Sequence, residues 1–151
     1  MNIINGNVLD ADCDVILHQV NCMGVMGSGV AKQVKNRYPK AYSVYKDMCD
    51  SRRGDPEGLL GYAQAVLVED VPKKYVCNLF AQLRYGRDRM HTDYDSLEKC
   101  FRSANTMFKG QRVAIPYRIG CDRGGGDWSV VSSMIERCLV DCDVTLYKFN
   151  G

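Results

Sequence analysis

A chain of 151 residues that is 46% hydrophobic and 25% charged has the composition of an ordinary folded domain, and its length supports one hydrophobic core, so residues 1–151 are read as a single domain. Its 20 basic and 18 acidic residues leave a net charge of +2, too small to argue for nucleic-acid or membrane binding. Met1 leads straight into Asn2-Ile3-Ile4-Asn5 with no basic and apolar leader pattern, and no stretch approaches membrane-span length, so a cytoplasmic location is expected.

The eight cysteines, Cys13, Cys22, Cys49, Cys77, Cys100, Cys121, Cys138 and Cys142, include no C-x-x-C pair, and neither His18 nor His91 stands at metal-site spacing from a cysteine pair. No metal and no cofactor is expected. Several cysteines lie in apolar runs, as Cys77 does in Tyr75-Val76-Cys77-Asn78-Leu79-Phe80, where a reduced thiol serves as a small buried hydrophobe.

In chain order, an N-terminal strand runs into Gly6-Asn7-Val8-Leu9, and the apolar run at residues 15–20 suits a buried strand. After a glycine loop, Val30, Val34 and Tyr38 recur at helical spacing, and a second helix at 41–49 places Tyr42, Tyr45 and Cys49 on one face. The polar stretch 50–56 breaks the chain. Residues 60–68 and 75–80 read as strands flanking an exposed turn at 70–74. A long polar segment at 82–94, rich in arginine and tyrosine, is either a solvated loop or a cover over the distal end of a ligand. Leu97, Phe101, Ala104 and Phe108 then predict a long helix over 93–108, with Thr92 and Asp95 as its capping box. A strand at 112–117 enters a second glycine loop. Asp127 can cap a helix whose apolar side carries Val130, Val131, Met134, Ile135 and Cys138, and residues 144–149 close the chain as a strand. The sum is an α/β fold, with helices on a mixed sheet.

Two loops stand out, Gly24-Val25-Met26-Gly27-Ser28-Gly29-Val30 and Gly120-Cys121-Asp122-Arg123-Gly124-Gly125-Gly126-Asp127, each between a strand pattern and a helix pattern. Glycine lets the backbone approach an anion closely, and the free N–H groups of a helix start point at it with the positive end of the dipole. Two such cradles in one small chain imply a ligand with two phosphates.

These residues taken together carry a resemblance that spans nearly the whole chain. Gly6-Asn7-Val8-Leu9, Asp14-Val15-Ile16-Leu17-His18-Gln19-Val20-Asn21-Cys22, Gly27-Ser28-Gly29-Val30-Ala31, Ile115-Pro116, Ile119-Gly120-Cys121 and Gly124-Gly125-Gly126-Asp127-Trp128 resemble, in order and spacing, a macrodomain of three-layer α/β/α architecture. The similar branch holds the terminal ADP-ribose protein glycohydrolase and the yeast-type ADP-ribose 1″-phosphate phosphatase. The resemblance implies ADP-ribose or a derivative as ligand, with Gly6, Asn7, Gly27, Ser28, Gly29, Val30, Ile119, Gly120, Cys121, Gly124, Gly125 and Gly126 around it. Asp14 matches the family's adenine-binding aspartate, although an aspartate is also common at a turn or strand start. Asn21 matches the asparagine facing the distal ribose, and otherwise closes a strand end. His18 corresponds to a histidine of the phosphatase branch that would act as general acid or base; strand alternation equally makes it a satisfied buried imidazole. Asp127 would orient a water, cap its helix, or do both.

Three departures bear on the chemistry. Ala31 stands where one branch carries an acidic residue, Gln82 falls where the glycohydrolase carries its lysine, and Gly124 falls where that enzyme carries its aspartate. The resemblance therefore implies hydrolysis of the phosphomonoester of ADP-ribose 1″-phosphate, without a metal, ahead of two alternatives: a non-catalytic ADP-ribose-binding module, or a hydrolase removing ADP-ribose from a modified macromolecule.

Overall fold

The computed structural model describes residues 1–149. Among them six strands and four α-helices follow one another as β1 (Asn2–Asn5), β2 (Val15–Asn21), α1 (Gly29–Arg37), α2 (Pro39–Ser51), β3 (Ala63–Asp70), β4 (Lys73–Gln82), α3 (Tyr94–Met107), β5 (Arg112–Pro116), α4 (Trp128–Cys138) and β6 (Asp143–Lys148). One sheet takes them all, in the order β1-β6-β5-β2-β4-β3, with every pairing parallel except the β3–β4 hairpin. The mixed sheet of the sequence reading is present. No helix among the described residues is long and apolar enough to cross a membrane.

Strand alternation on β2 divides the core. Val15 and Leu17 join Leu97, Phe101, Val131 and Ile135 beneath α3 and α4, whereas Ile16 packs with Val34 and Ala41, and Val20 with Tyr45 and Phe80, beneath α1 and α2. β2 is buried on both faces, as a central parallel strand between two helical layers must be. The eight cysteines are free, and seven of them are buried. Burial pushes the Cys22 thiol up to about 12, so it stays protonated and packs as an apolar group.

The elements depart from the sequence reading in two places that matter. The strand expected from residue 60 starts at Ala63, because Pro56–Leu59 forms a short 3-10 turn whose Leu59 packs with Tyr45 and Phe80. The cap of α3 is Asp93, whose carboxylate accepts from the Ser96 N–H, so Thr92 is not a cap and its hydroxyl is free for another partner.

Candidate functional site

Because β1, β2, β4, β5 and β6 all run the same way, the segments that leave their carboxyl ends meet along one edge of the sheet. Gly6-Asn7 follows β1, the first glycine loop follows β2, the segment 83–93 follows β4 and the second glycine loop follows β5. That edge is where open α/β sheets bind ligands.

Asn21, the last residue of β2, builds the first loop. Its side-chain oxygen accepts from the Met23 N–H at 2.9 Å and from the Tyr45 hydroxyl at 2.7 Å, while its amide nitrogen donates to the Val25 carbonyl at 2.8 Å. Tyr45 in turn accepts from the Val25 N–H at 3.1 Å. Asn21 is thus a buried knot under residues 23–25, and its amide is turned to the loop, not to a ribose. The loop ends at Ser28, the N-cap of α1, which makes no side-chain capping bond, and the first turn holds no acidic residue. The amides at the start of α1 are therefore left without a side-chain partner, with the helix dipole behind them.

The second loop rests on a polar cluster that the sequence did not announce. Gln19 donates to Gln82 Oε1 and to Thr92 Oγ1, each at 2.8 Å, and Thr92 Oγ1 donates to the Gly120 carbonyl at 2.6 Å. The Gly124 carbonyl accepts from both the His91 and Thr92 N–H groups. Gly120 takes φ +74°, and a Cβ there would lie 2.9 Å from Gln19 Oε1, so the turn needs glycine on both conformational and steric grounds. Cys121 is buried and its thiol is pushed up to about 11 by burial, which removes it as a nucleophile. Ile119 beside it is buried as well.

The two glycine loops face each other. The Arg123 side chain of the second loop reaches the first, its Nε 3.6 Å from the position a Cβ would take on Gly29, the opening residue of α1. Gly29 and Arg123 thus bring the two glycine loops together at one edge of the sheet. Asn7 stands on the same edge, caps the Val8–Asp10 turn by accepting from the Leu9 N–H at 3.0 Å, and opens on a shallow cavity of about 440 Å³ shared with Leu9, Gln33, Asn36 and Arg37.

Two expected site residues are elsewhere. Asp14 precedes β2 at its amino end, where its carboxylate accepts from the Arg112 N–H at 2.8 Å and pairs with the Arg112 guanidinium. This is the edge opposite the glycine loops, so the assignment to adenine is corrected: Asp14 pins the start of β2 to the start of β5. His18 points into the layer beneath α1 and α2, is 1% exposed, and meets Asn78 Oδ1 at 2.6 Å. Asn78 donates its amide to the Ala41 carbonyl and to Gln64 Oε1, so its oxygen accepts, His18 Nε2 carries the proton, and the buried Nδ1 is left with no partner among the described residues. An imidazole without a route to solvent or groove cannot serve as the acid or base there. Asp127 caps α4, its Oδ1 accepting from the Ser129 N–H and hydroxyl, and these bonds hold its carboxyl below the usual range.

The sealed imidazole makes a prediction. Burial depresses its folded pKa to about 4 from an ordinary 6.5, so between these values the unfolded chain takes up a proton that the native one refuses. The His18 contribution is expected to lower stability by roughly 3 kcal/mol as pH drops from about 6.5 towards 4 and to be complete below that, where carboxylates with depressed pKa, Asp127 among them, begin to add their own loss. Urea unfolding at several pH values checks this, and His18→Gln should flatten that part of the profile whatever its own stability.

Gln19, Thr92 and Tyr45 were missed as site-forming residues, whereas Arg123 stood within the second glycine loop as a charged group with no assigned contact. Gln19 carried a usable signal, the one polar side chain between Leu17 and Asn21 on the face of β2 opposite His18. Thr92 and Tyr45 had ordinary helix explanations.

A family profile described as Macro domain matches residues 17–135. A DNA ADP-ribosyl glycohydrolase of Mycobacterium tuberculosis is 29% identical over 155 residues, covering 97% of this chain and 42% of that protein, so the chain spans about two fifths of that relative's length. An ADP-ribose 1″-phosphate phosphatase of Aspergillus oryzae is 40% identical over 58 residues, 38% of this chain and 29% of that protein. Among solved structures, the macrodomain of Mycobacterium tuberculosis DarG superposes with a TM-score of 0.80 at 27% identity, over 97% of this chain and 95% of that one. With its glycine loops paired at the carboxyl edge of a mixed six-stranded sheet and a family match over most of its length, the chain belongs to the macrodomain family.

Proposed function

We propose that the chain binds ADP-ribose in the groove between the glycine loops and hydrolyses an ADP-ribose derivative there. The observation that carries this is the approach of the second loop's Arg123 side chain to Gly29 at the start of α1, whose amides have no side-chain cap. A diphosphate placed there meets backbone N–H groups, a helix dipole and a guanidinium together. The ADP-ribosyl group and the ADP-ribose 1″-phosphate for which the two relatives are named both contain that diphosphate. Asn7 and its cavity, under β1, suit the base end.

The bond we assign first is the phosphomonoester of ADP-ribose 1″-phosphate, in keeping with the phosphatase relative and the arginines beyond β4. Water adds to phosphorus, the P–O1″ bond breaks, and ADP-ribose and inorganic phosphate leave. The loop amides hold the developing charge, and Asp127, with only Oδ1 engaged among the described residues, orients the water. A second reading, removal of ADP-ribose from a macromolecule, is favoured by the relative matched over 97% of this chain. The eight free cysteines support action in a reducing, cytoplasmic compartment.

Calorimetric titration of ADP-ribose is the first test. Wild type and Asp14→Ala are expected to bind with affinities within about two-fold of each other, since Asp14 lies on the far edge and exposed pairs contribute little. Phosphate release from ADP-ribose 1″-phosphate, and label loss from an ADP-ribosylated oligonucleotide, then separate the two hydrolytic readings. Absence of ADP-ribose binding overturns the proposal, and binding without either turnover leaves a non-catalytic binding module.

A further inference from the structure

The distribution of unpaired arginines marks one more binding feature. Of the chain's 11 arginines, eight lie within 4 Å of an acidic side chain, and the three that have no such partner among the described residues are Arg84, Arg87 and Arg123. All three leave the same edge of the sheet. Unpaired guanidinium groups gathered at one place favour a polyanion there.

Arg84 and Arg87 belong to a segment pinned to both glycine loops. At its start the Leu83 carbonyl accepts from the Cys22 N–H, at the stem of the first loop. At its end the His91 N–H donates to the Gly124 carbonyl, and Met90 Cα comes within 3.2 Å of the position a Cβ would take on Gly125, both in the second loop. Residues 83–91 therefore arch from one cradle to the other. The arch's own carboxylate, Asp88, is taken by His91 at 3.0 Å and by Arg89 at 3.5 Å, which leaves Arg84 and Arg87 unneutralised and exposed.

Strand order gives the arch its place along the ligand. Asn7 follows β1 at one end of the sheet, the glycine loops follow β5 and β2 in the middle, and the arch follows β4 beyond them. A ligand whose base lies at Asn7 and whose diphosphate lies between the loops brings its distal ribose to the arch. Building on the proposed binding of ADP-ribose, we infer that Arg84 and Arg87 form a third phosphate subsite, which grips a phosphate joined to the distal ribose. That phosphate is either a terminal phosphomonoester or the phosphodiester of a strand carrying ADP-ribose.

The test is displacement of a fluorescent ADP-ribose probe, read before turnover accumulates, from wild type and from Arg84→Gln/Arg87→Gln. The competitors are ADP-ribose, ADP-ribose 1″-phosphate, an ADP-ribosylated oligonucleotide and the same oligonucleotide unmodified. Wild type is expected to bind one phosphate-bearing form at least about ten-fold more tightly than ADP-ribose, as charge-assisted arginine–phosphate bonds allow. The double variant should lose that gain while its affinity for ADP-ribose itself changes less than about two-fold, which also shows that it is folded. Whichever form gains names the source of the phosphate. Three results overturn the subsite: no gain in wild type, an equal loss for every ligand in the variant, or an unmodified strand bound as tightly as the modified one. Failure of wild type to bind the probe at all refutes the ADP-ribose reading instead.

Discussion

Gly124→Ala is expected to abolish ADP-ribose binding, while Gly54→Ala leaves it unchanged. A Cβ on Gly124 would stand 2.2 Å from Thr92 Oγ1, 2.7 Å from the Gly120 carbonyl oxygen and 2.9 Å from Gln19 Nε2. Thr92 cannot simply rotate away, because its hydroxyl donates to the Gly120 carbonyl and accepts from Gln19, and the carbonyl oxygen is backbone. The loop must move or the cluster must break. Each buried hydrogen bond left without a partner costs about 1–3 kcal/mol, so a loss of roughly 2–4 kcal/mol in stability is expected. Affinity for ADP-ribose should fall by more than about thirty-fold, since loop shape and loop amides are lost together. Gly54 meets nothing within 4 Å and serves as the control. Thermal melts with calorimetry read both effects, and retained binding by Gly124→Ala would mean that the second loop does not shape the groove.

That cluster also shows where the sequence was legible. Period and punctuation made the helices and strands readable, because Leu97, Phe101 and Ala104 bury one stripe of α3 and Val15 to Val20 are bounded by polar residues. The glycine loops were readable for the same local reason, lying between a strand end and a helix start. The hydroxyl of Thr92 reaches the carbonyl of Gly120, 28 positions away, and no local pattern encodes such a bond. Asp14 and His18 show the converse error. Each is a polar residue near the glycine loops in sequence, yet one lies at the amino end of β2 and the other beneath α1 and α2, because seven residues of strand separate the two sheet edges and alternate side chains face opposite layers. Nearness in sequence to a loop is not nearness to its groove.

Asn21→Ala should lower thermal stability and ADP-ribose affinity together, and this distinguishes a residue that builds the loop from one that reacts. Substitution strands the Met23 N–H and the Val25 carbonyl, while the Tyr45 hydroxyl keeps the backbone carbonyl of residue 21 as its acceptor at 2.9 Å. At about 1–3 kcal/mol for each of the two unsatisfied groups, partly relieved where water can enter, a loss of roughly 2–4 kcal/mol is expected. Tyr45→Phe offers a graded comparison. It keeps the ring against Phe80 at 5.5 Å but removes the hydroxyl that bridges Asn21 and the Val25 N–H. Burial raises the Tyr45 pKa and keeps that hydroxyl protonated, so it donates to Asn21 at any working pH. The variant should lose about 1–3 kcal/mol and show an intermediate drop in affinity. A side chain that instead faced the reacting ribose would lower kcat with melting temperature and KM unmoved. Finding that pattern in Asn21→Ala would return Asn21 to the chemistry, whereas parallel losses across the pair assign it to holding the first phosphate loop against α2.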